Sequence, residues 1–340
     1  MARAEGGRRP VMTDIARVAG VSQKTVSRVV NDSPHVSPEI RAKVTAAIEQ
    51  LGFRPNSTAR ALVSRRSSVI GIVTLGSALY GSTAQVIGVE RAAREAGYST
   101  LIVSTLDGSA ASVSQALERI LDRGVDGVIL SEPVHDWHLD PALLGDTPLV
   151  SIGSGPEPHA NQIVVGYDQA GGAHRGTEHL LALGHRTVWH IAGPSDFPDS
   201  SARARGWRDA LTAAGAEIPP TLAGDWSSRD GYEAGRVLAA NADVTAVFVA
   251  NDRMAMGVLR AMHEARRDVP GDVSIVGFDD IPEAEFQMVP LTTLRQDFVR
   301  TTRRAVTELL NAIENRPIDQ HRIEYVPELI IRDSSAPPRS

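Results

Sequence analysis

The chain has 340 residues, no cysteine, a formal net charge of -6, and 42% hydrophobic but only 4% aromatic residues. That composition excludes disulfides and zinc–thiolate sites, and no apolar run nears the ~18 residues of a membrane span. No apolar stretch follows the arginines of residues 1–10 to make a secretory signal, so a cytoplasmic protein of two or three domains is expected. The charge is uneven. Residues 1–66 carry 12 Lys/Arg against 5 Asp/Glu, a net of +7 that leaves -13 on the remainder. Only the front of the chain suits a polyanion.

In chain order, residues 1–10 read as a disordered arm. Thr13 to Gly20 reads as a short helix. Thr13 is placed to cap it, Asp14 sits at the positive end of its dipole, and Gly20 can take the left-handed conformation that ends it. Val21 is an apolar turn residue, and Ser22 caps a second helix running through Asn31. There Val26, Val29 and Val30 share one face, leaving Gln23, Lys24 and Arg28 on another. Ser37-Pro38 opens a third helix with Ile40, Val44, Ala47, Ile48 and Leu51 as its buried stripe. Three short helices with an Ala19-Gly20-Val21-Ser22 turn make a helix-turn-helix DNA-binding domain over residues 11–55.

In such a unit the front of the second helix meets base edges. Arginine fits the guanine O6/N7 pair and glutamine the adenine N6/N7 pair, which makes Gln23, Lys24 and Arg28 the candidate base readers. Thr13, Ser22, Thr25, Ser27, Asn31 and Asn56 are short hydrogen-bonding residues suited to phosphates. Residues 56–67 form a hinge. Asn56 to Val63 is long enough for two helical turns, too short to be stable alone in water, so it should fold only on DNA.

From Val69 onward, apolar strands alternate with amphipathic helices in two successive series. The first has strands near 69–73, 99–103, 125–130 and 149–152, with helices near 84–96 and 113–123. The second has strands near 163–165, 187–191, 246–249 and 273–278, with helices near 169–183, 202–214, 228–240 and 253–265. The expected fold is an all-α helix-turn-helix head plus an α/β core of two lobes, each a parallel doubly wound sheet, with a ligand cleft at the strand ends.

The run Thr13-Asp14-Ile15-Ala16, Gly20-Val21-Ser22, Thr25-Val26-Ser27-Arg28-Val29-Val30-Asn31, Val36-Ser37, Pro55-Asn56, Ala59-Arg60 and Leu62 resembles the head and hinge of the lactose-repressor (LacI/GalR) family. Val249-Ala250-Asn251-Asp252, Val276-Gly277-Phe278-Asp279-Asp280 and Pro290-Leu291-Thr292-Thr293-Leu294-Arg295-Gln296 resemble its core. The resemblance implies a periplasmic-binding-protein-like core over residues 68–333 with three crossovers. Its N-lobe would comprise 68–166 and 297–325, and its C-lobe 167–296 and 326–333. It also implies that Leu62 wedges into the minor groove of a near-palindromic double-stranded operator, as one of two copies in a homodimer. Residues 334–340 are expected to be a disordered tail, with two prolines and no heptad repeat to make a tetramer.

The resemblance places effector binding at Arg203, Trp226, Asn251 and Asp279. An arginine, a carboxylate, an amide and an aromatic plate suit the polar rim and apolar faces of a mono- or disaccharide. Tyr80 and Asp196 are further candidates. One departure stands out: where a well-known sugar-responsive member of the family carries a carboxylate after the fourth strand, this chain has Pro156 at the aligned position and Glu157 next to it. A repressor released by a saccharide inducer is expected, the alternative being a corepressor-dependent or dual regulator sensing a purine, a sugar phosphate or a partner protein. No motif for metal, phosphate or nucleophilic catalysis is present, so neither enzyme activity nor a cofactor nor a metal is expected. A transport-type binding protein would share the core but have no use for the head.

Overall fold

The computed structural model describes residues 10–30, 33–53, 66–76, 79–105, 109–131, 140–154 and 162–339, and the chain divides into two compact units, 1–67 and 68–340. Asn31, Asn56, Leu62, Pro156 and Glu157 lie outside the described residues.

The first unit contains helices α1 (Met12–Ala19), α2 (Gln23–Val30) and α3 (Pro38–Leu51). Ile15, Val26, Val29, Val44 and Ala47 are buried together, with Ile40, Ile48 and Leu51 packed against them. Full burial of each large aliphatic side chain is worth roughly 1.5–3 kcal/mol, which makes this small cluster the main support of the head. The first cap differs from expectation. Thr13 lies inside α1 and is exposed, while the Asp14 carboxylate accepts the Val11 N–H at 3.0 Å and pairs with Arg17 at 2.9 Å. A helix starting one residue earlier turns the acidic side chain of its first turn back onto the free backbone donor. Gly20 does adopt the left-handed conformation, at φ 66°.

The second unit is built on two parallel sheets. The first has the order β11-β5-β4-β3-β1-β2, from strands β1 (Val69–Thr74), β2 (Ser99–Ser104), β3 (Gly127–Ser131), β4 (Leu149–Ile152), β5 (Gln162–Tyr167) and β11 (Arg322–Tyr325). It is flanked by α4 (Tyr80–Glu95), α5 (Ala110–Leu121), the short α6 (Pro141–Leu144) and α11 (Phe298–Ile313). The second has the order β7-β6-β8-β9, from β6 (Trp189–Ala192), β7 (Leu222–Ala223), β8 (Ala246–Val249) and β9 (Ser274–Val276). Its helices are α7 (Gln169–Ala182), α8 (Pro198–Ala213), α9 (Ser228–Ala239) and α10 (Asp252–Glu264). Central strands such as β3, β4 and β8 are buried along their whole length, which is why they read as unbroken apolar runs rather than alternating ones.

The chain passes between the lobes after β5, after β10 (Thr293–Arg295) and between β11 and β12 (Glu328–Ile330), with β10 and β12 paired antiparallel. The passages are tied together. The Asp297 N–H donates to the Tyr167 hydroxyl at 2.6 Å, and Asp168 N–H to the Tyr325 carbonyl at 2.9 Å.

The expected disordered tail is instead part of the C-lobe. Ser334 is fully buried; its hydroxyl donates to the Ile275 carbonyl at 2.6 Å and accepts the Thr292 N–H at 2.8 Å. Ala336 exchanges bonds with the Ser274 hydroxyl, and Arg339 pairs with Asp268 and Asp272. The strand edge beside β9 needs backbone partners, and this segment supplies them despite its proline-rich, low-hydrophobicity sequence.

Candidate functional site

On the head, Gln23, Lys24 and Arg28 are all exposed on α2, opposite the buried Val26 and Val29. Among the phosphate candidates, Thr13 is exposed and Thr25 and Ser27 are half-buried. Ser22 has a structural task as well: its hydroxyl accepts the Thr25 N–H at 3.1 Å and bonds the Thr25 hydroxyl at 2.8 Å, starting α2.

In the core, a cleft enclosing about 90 Å³ lies between the lobes and is lined by Arg203, Trp226, Asn251, Asp279 and Tyr80. Asp196 is exposed and does not line the cleft; Asp199 does. Helix α8 begins at Pro198, earlier than its apolar pattern indicates, so the inward carboxylate lies three residues farther along. Asp199 accepts the Ser154 N–H at 3.0 Å and the Gln169 amide at 3.3 Å. It thereby joins the loop after β4 in one lobe to α8 in the other.

Four side chains close a ring at the floor of the cleft. Arg203 Nε donates to Gln169 Oε1 at 2.9 Å, and Gln169 Nε2 donates to Gln296 Oε1 at 2.9 Å. Gln296 Nε2 donates to Asp279 Oδ1 at 2.8 Å, and Arg203 Nη2 reaches the same oxygen at 3.4 Å. The guanidinium also donates to the Ala250 carbonyl and lies 3.9 Å from the Phe278 ring centroid. Arg203 is only 4% exposed; a buried cation is tolerable only with this density of acceptors. Because both donors to Asp279 use Oδ1, Oδ2 is left for a ligand. Gln169 and Gln296 were missed from sequence, although Gln296 closes a recognised motif.

Asp279 has φ 110°, a region that L-residues rarely enter. Its N–H donates to the Leu294 carbonyl at 2.8 Å, and that strained backbone fixes where its carboxylate sits. Burial pushes the carboxyl up to about 6, against the opposing pull of Arg203 and the Gln296 amide. Burial, and then the charge of Asp279, also raises Tyr80, which keeps its hydroxyl a neutral donor. The neighbouring Asp280 serves structure: it pairs with Arg295 at 2.6 Å and with Arg332 at 2.7 Å.

Trp226 also has positive φ, 72°. Its ring lies against Gly193, where any Cβ would overlap it, and meets Phe197 edge-on at 6.0 Å between centroids. Asn251 is less free than its sequence indicates. Its amide oxygen caps α10 by accepting the Met254 N–H at 2.9 Å, and its amide nitrogen donates to the Trp226 carbonyl at 3.2 Å. One amide hydrogen remains for a ligand. Among the described residues no cluster of metal-binding side chains occurs, and no helix is long and apolar enough to cross a membrane.

A helix-turn-helix reading face on one unit and a built ligand cleft in the other define a ligand-responsive DNA-binding regulator. Residues 11–56 match the bacterial regulatory proteins of the lacI family, and residues 177–335 match the periplasmic binding protein-like domain. The chain belongs to the lacI family and is a DNA-binding transcriptional repressor of that type. The lactose operon repressor of Escherichia coli K12 is 31% identical over 330 residues, 96% of this chain and 91% of that protein. The ribose operon repressor of the same organism is 33% identical over 329 residues, covering 95% of this chain and 99% of that protein. A solved lac repressor dimer bound to operator and the anti-inducer ONPF matches at a TM-score of 0.88 and 30% identity, over 97% of this chain and all of that one. These relatives are repressors, not enzymes.

Proposed function

We propose that the protein represses transcription as a homodimer on a near-palindromic operator and is released when a small neutral saccharide fills the cleft. The observation that carries this reading is the charge balance of the cleft wall. Asp199 and Asp279 stand against Arg203 and Arg253, with Tyr80, Phe197, Trp226 and Phe298 between them. Arg203 is already satisfied by Gln169, the Ala250 carbonyl and Asp279. That leaves no cluster of uncommitted cations for a phosphate, whereas carboxylate acceptors and aromatic faces suit a polyol ring. The acceptor expected after β4, absent at Pro156, is replaced in this reading by Asp199 from the opposite lobe.

The dimer on operator in the solved lac repressor supports the assembly. Gln23, Lys24 and Arg28 would read bases, and Leu62 would supply the minor-groove wedge. Release requires the sugar to prefer the state that cannot bind DNA, with a coupling of about 1–3 kcal/mol.

A thermal-shift panel of neutral sugars, sugar phosphates and nucleobases tests the effector class. A neutral-sugar hit that disappears in Asp279→Ala is expected. A ligand at 100 times its dissociation constant adds about 2.7 kcal/mol, which is easily seen. A response confined to purines or phosphorylated sugars would contradict the saccharide reading.

A further inference from the structure

Beside the inner cleft lies a second, broader and more open chamber of about 610 Å³, bounded by Met256 and the exposed Asp225, Ser228 and Glu283. The two are not separate cavities. Leu79, Tyr80, Phe197, Trp226 and Arg253 line both, so the aromatic wall that closes the inner cleft is also the inner wall of the outer chamber.

We propose that the effector is a two-ring glycoside, with one ring in the inner cleft and the second in this outer chamber; the assignment rests on the saccharide reading above. Three observations converge on it. Trp226, 6% exposed and held at φ 72° with its ring against Gly193 and edge-on to Phe197, forms part of the wall common to both chambers. A shared aromatic wall offers apolar contact to a ring on each side of a glycosidic link. The outer chamber then repeats the chemistry of the inner one in weaker form. It has two carboxylates, Asp225 and Glu283, one guanidinium, Arg253, and apolar Met256 and Ile281. The Asp225 side chain is already oriented, accepting the Ser227 N–H at 2.8 Å. Carboxylates in the majority favour hydroxyl donors and repel a phosphorylated second ring. A single ring seated on Asp279 and Arg203 would leave these groups to solvent.

Isothermal titration calorimetry on the full chain tests this with a panel of pentoses and hexoses and the disaccharides built from them. At least one disaccharide should bind about tenfold or more tightly than either constituent ring, the scale of one hydrogen bond to a charged group. Glu283→Gln and the space-filling Ser228→Tyr should each bring that ratio toward one; both positions are exposed, so thermal melts should confirm the fold of both variants. A constituent ring that binds as tightly as every disaccharide overturns the proposal, as does an affinity ratio untouched by both variants. Binding of no sugar at all, single or linked, would instead overturn the saccharide reading on which it rests.

Discussion

Replacing Arg203 by methionine tests whether the ring at the cleft floor is held by charge. The variant keeps the apolar stem beside Phe278 but loses the bonds to Gln169, the Ala250 carbonyl and Asp279. At about 1 kcal/mol for each of those bonds, the loss is about 3 kcal/mol at pH 6. A second effect comes from Asp279. Its carboxyl is already raised to about 6 by burial while Arg203 holds it down, so without the guanidinium it rises further. Above pH 6 the wild-type carboxyl completes its ionisation when folded and is already ionised when unfolded, so its stability falls by only about 0.4 kcal/mol and is flat from about pH 7. The variant still holds the proton when folded but has lost it when unfolded. Its stability therefore keeps falling as pH rises, by about 1.4 kcal/mol per pH unit. Between pH 6 and 7.5 this adds about 1.6 kcal/mol relative to wild type, for a total near 4.6 at pH 7.5, within the range for a broken buried pair. Urea unfolding followed by tryptophan fluorescence at the two pH values measures both parts, and Arg203→Met/Asp279→Asn should lose only the pH-dependent one. A penalty equal at both pH values, or below about 1 kcal/mol, would refute the reasoning.

Three further outcomes are expected. His190 is fully buried, stacked between Trp207 and Phe248, and lowered by burial to about 4. Its unfolded state takes up a proton from about pH 6.5 downward while the folded state does not, so the protein loses about 3 kcal/mol between pH 6.5 and 4. His190→Phe should remove that part of the acid slope in a stability-versus-pH series; an unchanged slope would sink the assignment. Effector affinity should fall about tenfold from pH 7.5 to 5, because the Asp279 carboxylate, at about 6, is then mostly protonated; calorimetry showing a flat profile would remove Asp279 as an ionised acceptor. Arg28→Ala should relax base choice at one operator position by about 1–3 kcal/mol, measured by binding to single-base variants, whereas equal weakening on every variant would mean a phosphate contact only.

Much of this was legible in the sequence because local signals and global fold agree. Gly20 and Ser37-Pro38 mark helix ends by backbone chemistry that tertiary packing does not alter, and the buried strands of both sheets announce themselves as apolar runs. The misreadings share a cause, which is hydrogen bonding between distant segments. Thr13 has the residue type of a cap, but Asp14 does the capping once α1 starts at Met12. The tail after Arg332 has a disordered composition, yet Ser334 and Ala336 satisfy the exposed edge beside β9. Asp196 and Asp199 are equally polar in sequence; only the early start of α8 brings Asp199 to the cleft. Gln169 and Gln296 are 127 residues apart in the chain, and their partnership exists only because two of the three passages between the lobes meet at the cleft floor.

The most direct measurement takes a DNA site selected by the purified protein from random sequence and titrates it, by fluorescence anisotropy, with and without the saccharide found by thermal shift. The selected site should be two-fold symmetric, and the sugar should weaken binding about 5- to 150-fold. A site without symmetry, or an affinity that the sugar leaves unchanged or raises, would contradict an operator-bound dimer released by its effector.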